Sequence, residues 1–425
     1  MIRFSATRRW ALKLGATAFA AALTLAAPLQ PSSAASPQKP VKIGFSMALT
    51  GGLAGAGKAA LIAMEIWRDD INKAGGLLGR PVEFVYYDDQ TNPSTVPGIY
   101  TKLLTLDNVD LVVSGYATNM VAPAMPIVMS RKMVFMSLFG LAVNEKFHYP
   151  NYFQIMPAGP HPRSDWSAGF FDIGMAQTPK PATVALVGAD AEFARNALDG
   201  ARENANKAGL KIVYDKTYPA ATADFTPIVR AIQAEAPDMV FIASYPPDSA
   251  GMVRAINEVG LKAKLLGGGM VGLQYASLLS KLGASLNGIV NYDFWVPEPT
   301  LKFEGVEEFL KKYQERAKGQ GVDPLGYYLP PYAYAYLQLL GNAVNAVGSL
   351  DQQKLADYIR SHTHKTVVGD VTFAPNGEWS TPRALMVQFQ GVDDSGLEQF
   401  THAGKRVVLW PEQWKSGTLH YPYAQ

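Results

Sequence analysis

Residues 41–76 read VKIGFSMALTGGLAGAGKAALIAMEIWRDDINKAGG, and this stretch sets the fold class. Its opening apolar run, 41–46, has the length of a buried strand, and a glycine-rich turn follows. Ala59, Ala63, Ile66, Trp67 and Ile71 then share one face of a helix predicted over 58–74, with Gly75-Gly76 as the stop. The strand, turn and helix recur downstream. Strands are expected at 82–87, 109–113 and 134–137, with helices at 96–106 and 121–130. Beyond Pro157 and Pro160 a second series has strands at 183–187, 211–215, 239–244 and 264–266 and helices at 192–208, 226–236 and 249–259. Apolar strands alternating with amphipathic helices make parallel sheets covered on both faces, so two series predict two doubly wound α/β lobes.

The rest of the chain does not build a third lobe. It offers one strand at 289–294, helices at 303–318, 332–347 and 355–362, and short strands near 367–373, 385–389 and 407–409. A lone strand between a finished lobe and a run of helices predicts a return to the first lobe, hence three crossings, near Pro157, Phe294 and Asp370. Lobe 1 is then 41–157 plus 295–370 and lobe 2 is 158–294 plus 371–410, with 411–425 as a C-terminal tail.

Residues 1–35 read as a cleaved export signal. Arg3, Arg8, Arg9 and Lys13 precede an uncharged stretch, 14–29, and Ser32-Ser33-Ala34-Ala35 supplies small residues for cleavage near Ala34 or Ala35. Residues 7–13, TRRWALK, resemble a twin-arginine signal, with general export of the unfolded chain as the alternative. A retained anchor is disfavoured by the short, Ala-rich run and by Pro28. Cleavage removes four basic and no acidic residues, moving the formal charge from +2 to −2. Near neutrality gives no electrostatic case for nucleic acid or anionic lipid, and no later segment is apolar enough to insert in a membrane. The chain has no cysteine, which removes lipid anchoring through a lipobox, disulfides and thiolate chemistry. The product is expected in the periplasm, without cofactor or metal.

Each motif that suggests chemistry has a plainer reading. Gly52 to Lys58 has phosphate-loop spacing, but Ala59 stands where magnesium needs a hydroxyl, so a turn exposing N–H groups at a helix start fits better. Gly44-Phe45-Ser46-Met47-Ala48 is an imperfect nucleophile elbow, and no histidine downstream advertises a triad, which leaves an exported hydrolase as a remote alternative. His362 and His364 lack further ligands at metal spacing. Asp88 and Asp89 point to opposite sides of an extended chain, so they cap the next loop rather than share a proton. Tyr116, Phe139, Phe193, Tyr245, Tyr327 and Tyr328 fall at or opposite the carboxyl ends of predicted strands, where open α/β sheets bind ligands, and so predict a cleft lined with rings.

With those residues in place, the chain resembles over nearly its whole length the periplasmic solute-binding proteins of branched-chain amino acid type ABC importers. The matching stretches are 41–44 with Thr50-Gly51-Gly52, 70–80 (DINKAGGLLGR), 87–93 (YDDQTNP), 115–123 and 237–241 (PDMVF). The resemblance implies two lobes joined by three hinge strands, with ligand enclosed between them and delivered to a membrane permease. It implies that Thr118, beside Tyr116 and Asn119, gives a hydroxyl to a ligand carboxylate. It further places at the ligand a carbonyl of the loop containing Phe139 and Gly140, the ring of Phe193, Tyr245, and Tyr327 or Tyr328, with Ser46 at the end of the first strand. Leu141 and Phe193 each lack the hydroxyl that the family carries there.

The main departure is Gly269, which stands where the family's amino acid binders have an acidic partner for the α-ammonium group. An unpaired buried ammonium costs several kcal/mol. The expected ligand is therefore a small aromatic or apolar carboxylate without a free α-ammonium, with a branched-chain amino acid or amide as the alternative. Arg195 is either a further carboxylate partner or a helix-surface residue.

Overall fold

In a computed structural model, residues 39–219 and 221–423 are described; the export signal at 1–35 lies outside them. The first sheet holds β1 (Val41–Met47), β2 (Val82–Asp88), β3 (Leu111–Tyr116), β4 (Phe135–Leu138) and β5 (Tyr152–Gln154). Their order is β2-β1-β3-β4-β5, all parallel. The second sheet takes β6 (Thr183–Ala189), β7 (Lys211–Tyr218), β8 (Met239–Ser244), β9 (Leu265–Met270) and β10 (Val290–Asp293). After a hairpin of β11 (His364–Thr366) and β12 (Gly369–Val371), β13 (Leu385–Phe389) and β14 (Arg406–Trp410) complete it. The order is β14-β13-β10-β9-β8-β6-β7, with β13 and β14 antiparallel to their neighbours. Two α/β lobes with mainly parallel sheets result.

The chain passes from the first sheet to the second after β5, returns after β10, and crosses again after β12. The return is fixed by contacts of the later helices with the first lobe. Tyr334 donates to Asp70 at 3.1 Å and Arg316 pairs with Asp69 at 2.6 Å. Gln352 accepts the Val134 N–H at 2.8 Å. The first and third crossings bond to each other, Arg383 N–H to Pro157 O at 2.9 Å and Gln154 N–H to Gly377 O at 2.8 Å. Residues after β14 lie along the second lobe, where the Tyr423 N–H reaches Lys264 O at 2.9 Å.

Several elements differ from the expectation, and four of them bear on the site or the crossings. The first helix, Ala54–Lys73, begins within the glycine-rich stretch, and at Gly57 a Cβ would lie 1.9 Å from Ala48 O. The strand expected at 264–266 runs on through three glycines to Met270 because the neighbouring backbone comes too close for a side chain: at Gly267, φ +128°, a Cβ would meet Val290 O at 1.9 Å. The strand β5 and the helix Pro162–Met175 were not expected. That helix is apolar on more than one side, with Trp166, Phe170, Phe171 and Ile173 all buried, so no single stripe marks it.

Asp323, buried in the loop that joins the helices Val306–Ala317 and Pro330–Val347, has its carboxyl pushed up to about 6 by burial, against the opposing Leu325 N–H. A raised folded-state value stabilises most below the unfolded value of 3.8 and is lost as pH climbs toward 6. Urea unfolding of the protein should therefore lose about 2–2.5 kcal/mol more between pH 4 and 7 than Asp323→Asn does, at ~1.4 kcal/mol per unit. Parallel curves for the two would place a solvated carboxylate there.

Candidate functional site

Both sheets turn their carboxyl ends toward one small cavity with free space of about 20 Å³, room for about one water molecule and far below the ~300–1,000 Å³ of a ligand site, because the two lobes meet around it. From the first lobe come Tyr116, Ala117 and Thr118 after β3 and Phe139 after β4. Trp166, Phe193, Tyr245 and Val271 come from the second, with Tyr292 on β10 and Tyr328 before the helix Pro330–Val347. Two wall residues have left-handed φ without being glycine, Ala117 at +87° and Phe139 at +63°. Such strain gathers at binding sites, where the surroundings hold the backbone in place.

No lining side chain carries a charge. The polar groups are the Thr118 hydroxyl, four phenols and the Trp166 indole. Thr118, 1% exposed, accepts the Leu141 N–H at 3.0 Å, and among the described residues no acceptor takes its proton. The phenols meet in pairs, Tyr292 with Tyr328 at 2.9 Å and Tyr116 with Tyr275 at 3.5 Å. Burial drives Tyr116, Tyr245, Tyr292 and Tyr328 further toward the protonated state, so each is a neutral phenol. Phe139 packs against Phe294 at 5.1 Å and Tyr328 at 5.3 Å, closing the apolar end.

The lobes touch directly. Asn119 Oδ1 accepts the Tyr245 hydroxyl at 2.9 Å and the Phe193 N–H at 3.4 Å, and Asn196 donates to Leu141 O at 2.9 Å. Arg163 pairs with Glu145 at 2.8 Å across the same seam. Outside it lies an open groove between Gly52 and Leu53 on one side and Pro246, Pro247 and Leu278 on the other. The Tyr116 and Tyr275 hydroxyls stand between cavity and groove.

Of the ten residues expected at the ligand, Tyr116, Thr118, Phe139, Phe193 and Tyr245 line the cavity. The other five lie elsewhere in the structure. Ser46 is fully buried inside the first lobe and donates to Asp89 at 3.1 Å. Gly140 lies beneath the wall, its carbonyl taken by Gln154 at 2.8 Å and Tyr152 at 3.2 Å. Asn119 joins the lobes instead of lining the cavity. Tyr327 packs on Trp295 at 4.8 Å, with Arg406 over its ring, leaving Tyr328 at the cavity. Gly269 is covered: a Cβ there would lie 3.1 Å from Trp166 Cη2, so the indole occupies the space a side chain would need.

The remaining motifs fall outside the cavity. Asp88 caps the loop by accepting from Leu49 at 2.9 Å and Gln90 at 2.8 Å, and Asp89, raised to about 6 by burial, accepts from Thr91 at 3.0 Å. Arg195 pairs with Asp190 at 2.7 Å on an exposed helix surface. His364 is bonded to Ile359 O at 2.8 Å, while His362 stacks on Tyr358. No group of three metal ligands occurs among the described residues, and no described helix is long and apolar enough to cross a membrane. Sequence reasoning missed Met156, Trp166, Val271 and Tyr292. Tyr292 and Val271 could have been found as strand-end positions; Trp166 sits in a helix with no periodic signature.

Comparison with known proteins agrees with this architecture. A family model described as periplasmic binding protein matches residues 40–394. An "Amino acid binding protein" of Pseudomonas aeruginosa is 24% identical over 355 residues, covering 81% of this chain and 90% of that protein. An ABC transporter substrate-binding protein from Sphaerobacter thermophilus superposes with a TM-score of 0.73 at 20% identity, covering 87% of this chain and 97% of its own. A solute-binding protein of an R. palustris ABC transporter, solved in complex with benzoate, gives 0.70 at 16% identity, covering 88% of this chain and 98% of its own. With two parallel-sheet lobes, three crossings and a match over most of its length, the chain belongs to the periplasmic binding protein family.

Proposed function

We propose that this protein is the periplasmic receptor of an ABC importer, closing on a small aromatic or apolar carboxylate that lacks a free α-ammonium and handing it to a membrane permease. The observation that carries this reading is a cavity walled by rings whose polar groups are all neutral hydrogen-bond donors. A carboxylate accepts such bonds, strengthened by its charge. An ammonium would find no carboxylate and would lose several kcal/mol of hydration. The benzoate bound by the R. palustris neighbour supports an acid of this kind. The amino acid binding relative supports the alternative, a branched-chain amino acid held by other contacts.

A thermal-shift screen separates the two. Benzoate and related aromatic acids should raise Tm while leucine, valine and glutamate leave it unchanged. Stabilisation by leucine with none by benzoate overturns the acid reading and keeps the receptor. Turnover of an ester or amide that disappears in Ser46→Ala would instead indicate a hydrolase.

Thr118→Val should weaken binding of the stabilising acid by about 1–3 kcal/mol through loss of one hydrogen bond to a charged group. The same change orphans the buried Leu141 N–H, so the fold should also lose about 1–2 kcal/mol. Thr118→Ser keeps the oxygen and should recover most of both. Unchanged affinity of the valine variant in calorimetry removes Thr118 from the site.

A further inference from the structure

One buried polar atom in the cavity wall makes no hydrogen bond of any kind among the described residues. The indole of Trp166 is fully buried, and its Nε1–H has no acceptor among the described residues. Trp295 and Trp379 also bury unpartnered indole N–H groups, but neither lines the cavity. The Trp166 ring is held in place from three sides. Tyr292 lies 4.7 Å and Phe193 5.5 Å away between ring centroids, and Gly269 admits the benzo edge, where any side chain would collide with it. A rigid ring with an unmet donor, set in the wall of an otherwise neutral cavity, is a preorganised contact awaiting an acceptor.

We infer that Trp166 is a specificity-determining residue: its indole N–H donates a hydrogen bond to an oxygen of the bound ligand, so that each lobe reads the ligand through one neutral donor, Thr118 from the first and Trp166 from the second. The inference rests on the proposed receptor function and deepens it. A ligand engaged from both sides holds the lobes together through its own oxygens. One that lacks an acceptor for the indole leaves that donor buried and unmet on closure, and is rejected.

The test uses the whole mature protein labelled with ¹⁵N-tryptophan, with the Trp166 indole signal assigned by its contacts to the Phe193 and Tyr292 rings. Saturating benzoate should move that N–H resonance downfield and slow its exchange. Trp166→Phe, which keeps a ring and removes the donor, should weaken benzoate binding about tenfold or more, as expected for one lost hydrogen bond. Benzoate bound tightly to the native protein with the Trp166 signal unmoved overturns the inference while leaving the receptor reading intact. If leucine binds and benzoate does not, the acid reading fails; a Trp166 signal that then moves with leucine upholds the indole as donor, and one that stays still overturns it. The native spectrum needs no variant, so the outcome stands even if Trp166→Phe does not fold.

Discussion

Gly269→Glu should lower the unfolding free energy by about 3–5 kcal/mol and abolish benzoate binding. Two effects add. A Cβ at Gly269 would sit 3.0 Å from Ile242 O and 3.1 Å from Trp166 Cη2, so the indole must give way by a few tenths of an ångström to the Cβ and further to the rest of a glutamate side chain. Forced repacking of that kind costs ~1–3 kcal/mol. The new carboxylate would then lie in a wall with no cation, and an uncompensated buried charge costs ~3–5 kcal/mol. Gly269→Ala separates the terms, since it brings the crowding without the charge and should show only the smaller loss. Urea unfolding and calorimetry read both quantities. A glutamate variant as stable as the native protein, still binding benzoate, would show that the ligand's charged end lies far from Gly269 and that the indole is free to move.

Arg406→Met is expected to cost about 3–5 kcal/mol at a pair that stands behind the cavity wall and does not line it. Asp293 ends β10 where the chain leaves the second sheet. Its Oδ2 meets Arg406 at 3.0 Å and its Oδ1 accepts the Phe294 N–H at 2.8 Å, with side-chain exposures of 1% and 3% for the pair. Burial pushes the Asp293 carboxyl upward and Arg406 opposes it; without the guanidinium the acid is left dry and unpaired. Asp293→Asn keeps an acceptor for Phe294. The double variant Asp293→Asn/Arg406→Met should therefore recover a large part of the loss, a coupling that a double-mutant cycle measures directly. A single Arg406→Met variant with native stability would mean that water reaches the pair.

The fold was legible because its signal is repetitive. Each apolar run followed by a one-sided helix is a local pattern, and 41–76 already contains the whole unit. What escaped was set by distant partners. The helix Pro162–Met175 shows no stripe because the helix Glu192–Lys207 covers one side of it and the second sheet another. The strand β9 contains Gly267, Gly268 and Gly269, poor strand formers that are required only because β10 and Phe241 come close. The site was half legible for the same reason. Tyr116, Phe139 and Tyr245 follow strands and could be placed by topology. Ser46 and Tyr327 have equally suitable types and positions in sequence, yet Asp89 and Arg406, far along the chain, claim them. Gly269 was noticed for what it lacks, whereas Trp166, 103 residues earlier, fills the gap.

Asn119 grips Tyr245 and Phe193 with protein atoms alone, and that has a kinetic corollary. Each such bond belongs to the shut form only and so shifts the balance between the gaping and the shut forms toward the latter. A shut molecule cannot load, and the capture rate falls with the fraction still ajar, while the same grip slows escape once a guest is inside. One amide thus governs how long cargo is kept at the expense of how fast it is caught.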